Sequence, residues 1–289
     1  MKNCLLLFFT LSFYYGYTQD TINCYFDEQL SLTGKKQSAY PGKMIAQEQG
    51  WEAFALHSNG NVLMHGFFAD KKLKIKQGLY SIYYSNGNRR ALTYFNNNAA
   101  DSIFMSWHIN GQMSDSGIIR QQFRTGLWKT WYANGNPESA GVYSNSEPDG
   151  EWHWYYPNGK PATIETYSNN KLQDITCFDT LGIATGSNCR IEKKPCPQNA
   201  YNFETFIIEN LLYPEDAIKK RIEGDVAFEF IINKAGKLTN INFTNEASAL
   251  LQNEVVRLLK SVSVWEPAVS HNRNIDYLYT YTVPFYLPD

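Results

Sequence analysis

Between residues 50 and 190 apolar and polar positions alternate in short runs, and the runs recur. Asn-Gly stands at 59, 86, 110, 134 and 158, with spacings of 27, 24, 24 and 24. Eight residues before each of the last four asparagines comes Gly78, Ser102, Gly126 or Gly150, and two residues later an aromatic, Tyr80, Phe104, Trp128 or Trp152. Nine residues after each asparagine an apolar side chain returns as Phe68, Phe95, Ile119, Tyr143 and Tyr167. Each unit reads as a β-hairpin: Leu127 to Tyr132 forms one strand, Asn134-Gly135 tolerates the positive φ angles of a tight type I′ turn, and a second strand runs to Tyr143. A lone hairpin is marginal in water, so the units must stack and bury their aromatics on one another. The expected product is an elongated antiparallel β-meander of stacked hairpin repeats. Residues 22–49 read as a cap with an irregular hairpin, and Ile175 to Cys189 as a degenerate last repeat with Leu181-Gly182 in the turn slot.

Beyond Pro195 and Pro197 the pattern changes. Phe203 to Leu212 and Pro214 to Arg221 read as two short helices, with Pro214 at a first helical position. Val226 to Asn233 and Leu238 to Thr244 are strands around the turn Lys234-Ala235-Gly236. Leu251, Val255, Leu258 and Val262 share one face of an amphipathic helix. Asp276 to Tyr286 is an aromatic and β-branched strand. Two strands, a helix and a third strand make a small α/β two-layer sandwich. The organisation expected is a signal peptide over 1–18, the repeat domain over 19–192, a linker over 193–200 and the sandwich over 201–289, with repeats and sandwich folding independently.

Composition narrows the function. The 289 residues are 43% hydrophobic and 15% aromatic, enough for real cores. Against 28 acidic residues stand 26 basic ones, a formal charge of −2, with no long basic run to track a phosphate backbone; nucleic acid is not an expected partner. The five histidines (57, 65, 108, 153, 271) are scattered without the spacing that brings two imidazoles onto one metal, so no metal or other cofactor is expected. His108 and His153 read as half-exposed strand residues. No nucleophile with a neighbouring base, paired carboxylates or phosphate loop stands out, and an enzyme is not expected. Lys2, the apolar run Leu5 to Tyr15 and Gly16-Tyr17-Thr18 read as a secretory signal that is too short to span a bilayer. An oxidising compartment makes Cys24, Cys177, Cys189 and Cys196 disulfide candidates with three possible pairings, a local Cys177–Cys189 bridge being the simplest.

Gly-x-Trp and Tyr-Tyr-x-Asn-Gly, as at Gly150 to Gly159, with Gly-x-Tyr, as at Gly141 to Tyr143, resemble the MORN-repeat variant of secreted bacterial proteins, which implies a scaffold or binding surface without shared chemistry. In the last ninety residues Tyr213-Pro214 with Ala217, Gly224-Asp225-Val226, Ala235-Gly236, Trp265-Glu266-Pro267-Ala268 and Val283-Pro284-Phe285 follow one another as in the TonB C-terminal domain. That resemblance implies a periplasmic module that pairs an exposed edge strand with a short segment of an outer-membrane transporter. The strand carrying Tyr277, Leu278, Tyr279, Thr280, Tyr281 and Thr282 is the candidate edge, the tyrosines on one face and Leu278, Thr280 and Thr282 on the other. The expected function is a periplasmic or envelope adaptor that recognises an envelope protein or peptide segment, such as an outer-membrane transporter, with the repeats as scaffold. The alternative is a TonB-type energy transducer with an uncleaved N-terminal anchor. The sequence has no long Pro-, Lys- and Glu-rich spacer, and its 11 prolines are dispersed.

Overall fold

The computed structural model describes residues 21–187, 189–198 and 200–287; the signal segment expected over 1–18 lies outside them. The chain groups into two compact units, one reaching Gly135 and including Tyr143–Ser146, the other holding Asn136–Val142 and everything from Glu147 onward. The first unit contains β1 (Thr21–Phe26), β2 (Leu32–Thr33), β3 (Tyr40–Gln47), β4 (Gly50–Leu56) and β5 (Val62–Phe68). It continues through β6 (Lys76–Tyr83), β7 (Arg89–Asn96), β8 (Ala99–Trp107), β9 (Met113–Arg120) and β10 (Phe123–Trp131). From β3 onward each strand runs antiparallel to its sequence neighbour, while β1 pairs with β3 and with the short β2.

One aromatic per hairpin fills the packed face of this meander. Tyr80 and Trp128 are buried. The Trp128 indole lies over Gly117, where a Cβ would collide with the ring, and its Nε1 donates to the Ile118 carbonyl at 3.1 Å. Phe104 stacks on Trp128 with centroids 5.7 Å apart. Glycine at 117 is therefore a packing requirement, because the tryptophan of the next hairpin occupies the space a side chain would need.

The Asn-Gly turns differ from the tight type I′ geometry expected. Only the glycine takes positive φ, as at Gly87 (88°), and its N–H bonds to the carbonyl three residues back, Tyr84. The strand register shifts just before it, between Ile82 and Tyr83, so the turn is a three-residue loop closed by a bulge. The asparagine is selected by its side chain: Asn86 Oδ1 accepts from the Asn88 N–H at 3.0 Å, and its Nδ2 donates to the Ile109 carbonyl of the next hairpin at 2.9 Å. Asn59 and Asn110 reach Ser85 and Ala133 in the same way. The two-residue turns with both residues at positive φ lie at the other end of the strands, at Asn97-Asn98 and Gln121-Gln122.

In the second unit β12 (Glu147–Tyr155), β13 (Pro161–Ser168), β14 (Lys171–Phe178) and β15 (Ala184–Gly186) continue the repeat, and β11 (Pro137–Ser144) carries residues of both units. Trp152 is buried over Gly141. The rest of the unit comprises β16 (Glu192–Lys193), β17 (Cys196–Pro197), α1 (Phe203–Asn210), α2 (Glu215–Lys219), β18 (Gly224–Ile232), β19 (Leu238–Phe243), α3 (Ala249–Ser261), β20 (Trp265–Glu266), β21 (Ala268–Ser270), β22 (Arg273–Ile275) and β23 (Tyr277–Phe285). A three-stranded sheet in the order β19-β18-β23 packs against α3, whose Leu251, Val255 and Leu258 are buried together with Phe203, Phe228, Phe230 and Trp265. Helix α1 is capped by Asn202, whose Oδ1 accepts from the Thr205 N–H at 2.7 Å. Pro214 precedes α2 as its capping residue and is not the first helical residue: its backbone is extended and its carbonyl accepts from Ala217 and Ile218.

Candidate functional site

The geometry of β23 follows from β18. The Ala227 N–H donates to Asn245 Oδ1 and its carbonyl accepts from Thr244, so the Ala227 backbone faces the β19 side. Successive backbone groups in a strand point to opposite sides, and therefore Val226, Phe228, Phe230 and Ile232 face β23. Their partners are Val283, Tyr281, Tyr279 and Tyr277, in continuous register. The N–H groups of Leu278, Thr280 and Thr282 consequently point away from β18, and among the described residues no strand pairs with that side. Pro284 has the same parity, so its missing N–H removes nothing from the β18 ladder.

Side chains along β23 alternate as the backbone requires. Tyr279 is 6% exposed, Val283 and Phe285 are buried, and Leu278 on the other face is 55% exposed, with Thr280 and Thr282 also exposed. The Tyr279 hydroxyl donates to the Pro195 carbonyl at 2.5 Å. Phe203 at the start of α1 packs on Tyr279 (centroids 4.9 Å apart) and Tyr281 (5.5 Å), which brings the helix alongside the strand. Burial, and after it the neighbouring Glu204 carboxylate, push both phenols above their ordinary range.

A second cluster joins the end of the repeats to the C-terminal residues. The β21–β22 hairpin turns at His271-Asn272, both at positive φ. The His271 ring stacks on Trp154 with centroids 3.6 Å apart, and its Nδ1 lies 2.8 Å from Oε1 of the fully buried Glu165. Thr163 and Tyr167 hydroxyls donate to the same carboxylate, each at 2.7 Å. Burial by itself would raise the Glu165 pKa; the hydrogen bond and charge of His271, with the two hydroxyls, outweigh it and hold the carboxyl below its ordinary value. Asn272 Nδ2 donates to the Phe178 carbonyl at 3.0 Å, and the Arg273 guanidinium lies 4.9 Å from the Trp154 ring and 3.3 Å from Glu138 Oε1. Sequence reasoning missed this cluster. Its signal is that Glu165 stands where the two preceding repeats have Gly117 and Gly141, and Trp154 where they have Ser106 and Thr130.

Cys177 and Cys189 form a disulfide with Cα atoms 5.7 Å apart, while Cys24 and Cys196 are free, buried thiols. Burial pushes the Cys24 thiol up to about 11. His153 is a partly exposed residue of β12 bonded to Glu151, and His108, just past β8, bonds the Trp131 carbonyl. Among the described residues no helix is long and apolar enough to cross a membrane.

The family of Gram-negative bacterial TonB protein C-terminal domains matches residues 209–287, and the MORN repeat variant matches residues 76–97, 124–145 and 148–169. The chain thus joins MORN-variant repeats to a TonB C-terminal domain. Among curated proteins none matches this chain.

Proposed function

We propose that this chain is a periplasmic or envelope adaptor whose TonB C-terminal domain recognises a membrane-associated protein by adding a segment of it to the free edge of β23, with the repeats as a non-enzymatic scaffold. The observation that carries the reading is the row of outward N–H groups at Leu278, Thr280 and Thr282. An extended segment of the partner fills that row with main-chain hydrogen bonds and places its alternate side chains on the two faces of the sheet. TonB C-terminal domains generally engage outer-membrane proteins, which supports an envelope partner such as an outer-membrane transporter. Neither matched family is enzymatic, which supports binding over catalysis.

A photo-crosslinking residue at Leu278, introduced into the full chain in its own cells, tests the reading. The expected product is an adduct with an envelope protein that Thr280→Pro abolishes and that the same crosslinker at Lys237 does not form. An adduct insensitive to Thr280→Pro refutes strand addition. Sequencing the mature N-terminus separates the adaptor from an anchored transducer: a start near Gln19 is the adaptor's, and a retained Met1 in membrane-embedded protein is the transducer's.

A further inference from the structure

The tip of the β21–β22 hairpin is bonded to both of the chain segments that the Cys177–Cys189 bridge ties together. On one side the His271 and Asn272 N–H groups donate to the Ile191 and Arg190 carbonyls, each at 2.8 Å, in the two residues that follow Cys189. On the other side Asn272 Nδ2 donates at 3.0 Å to the carbonyl of Phe178, the residue after Cys177. Thr163, the register partner of Cys177 across β13 and β14, gives its hydroxyl to the Glu165 carboxylate that His271 meets. Among the described residues β16 pairs with β21 alone, so the chain just after Cys189 is fastened to the repeats by the bridge and to the hairpin by its backbone.

The repeat pattern shows what the tip replaces. Trp128 lies over Gly117 and Trp152 over Gly141; one period on, Thr176 stands in the tryptophan position and Glu165 in the glycine position. The ring that meets residue 165 is instead His271, stacked on Trp154.

We propose that the Cys177–Cys189 bridge is a redox-sensitive catch. Closed, it holds the His271–Asn272 tip on the last repeat strands, and with it the approach to β23, which begins two residues after β22 ends. A dithiol opens it: the S–S bond breaks, two electrons and two protons pass from the dithiol to form two cysteine thiols, and the dithiol becomes a disulfide. The closed bridge sets the acceptors at 178, 190 and 191 in place, so the tip binds without having to order them. The catch is independent of strand addition at β23.

The test uses the full chain with 13C-labelled histidine, whose five ring resonances are read by NMR at constant pH, His271 being assigned from its loss in His271→Gln. In the oxidised chain the Trp154 ring should displace the His271 resonance upfield. Dithiothreitol, with opening of the bridge followed by thiol titration, and the Cys189→Ser variant should each return it to the position of a free histidine, while His57, His65, His108 and His153 stay in place as controls for the fold. Coupling is reciprocal, so His271→Gln, its fold checked by the same four resonances, should raise the equilibrium constant for reduction of the bridge by dithiothreitol roughly tenfold. A His271 resonance undisplaced in the oxidised chain, or still displaced in either open form, overturns the catch. So does a bridge that dithiothreitol leaves closed, movement of all five resonances on opening, or a reduction constant that His271→Gln leaves unchanged.

Discussion

The repeats and the C-terminal domain are both antiparallel sheets, and they treat their edges in opposite ways. The repeat strands begin near β2, two residues long, and end at β15, three residues long and next to the Cys177–Cys189 bridge. Strands that short offer little template to another chain. In the C-terminal domain β23 is nine residues long, and among the described residues no strand pairs with its outer row of N–H groups. The repeats spend their polar side chains on the next hairpin, as Asn86 does on the Ile109 carbonyl. On β23 the exposed side chains Leu278, Thr280 and Thr282 leave the outer face uncovered. The lesson is that an open edge in one region is informative because the other region shows how such an edge is closed.

If the repeats are held by one aromatic per hairpin, Trp152→Ala should be the most damaging change, costing about 3–5 kcal/mol by emptying the space over Gly141. Chemical denaturation followed by tryptophan fluorescence measures it, and a cost below about 1 kcal/mol would mean that the ring is not what joins neighbouring hairpins. Reducing the Cys177–Cys189 bridge, which spans 12 residues, should cost about 2–4 kcal/mol, read as a lower denaturation midpoint in reductant. An unchanged midpoint would remove the bridge from the account of how the repeats end.

The cluster around Glu165 sharpens the comparison, because there the two regions hold each other. His271→Ala leaves a buried carboxylate short of a partner and should cost about 1–3 kcal/mol. Since the folded-state pKa of Glu165 is depressed, its contribution is present above the ordinary carboxylate range and is lost as pH falls through the folded value. The stability difference between the unaltered chain and Glu165→Gln should therefore decline below about pH 4.5, measured by denaturation at several pH values. A difference that grows on acidification contradicts the assignment. The smallest expected effect is that of Asn86→Ala, about 1 kcal/mol for the lost side-chain bonds to Asn88 and Ile109.

Much of this was legible in the sequence. The 24-residue period gave the hairpins, and the apolar face Leu251, Val255, Leu258 gave α3. The type of turn was not legible, since Asn-Gly suits more than one turn and the choice here comes from bonds made by the asparagine to the next hairpin. Nor was the β21–β22 hairpin: its three-residue strands are too short for a periodic signal, and His271-Asn272 is not a strong turn dipeptide. Its partners Trp154 and Glu165 lie over a hundred residues away along the chain. The β23 edge sits between these cases. Alternation along Tyr277 to Thr282 defined its two faces, but which N–H groups point outward depends on the Ala227 bonds to Thr244 and Asn245, which only the folded chain supplies.

Residue-resolved amide hydrogen exchange along β23 in the intact chain tests the central claim most directly. Tyr279, Tyr281 and Val283, bonded to β18, should be protected, while Leu278, Thr280 and Thr282 exchange quickly; binding of a partner segment should slow the second set and leave the first unchanged. Uniform protection of all six amides in the free chain, or an alternation of the opposite parity, would contradict the open edge on which the proposed recognition depends.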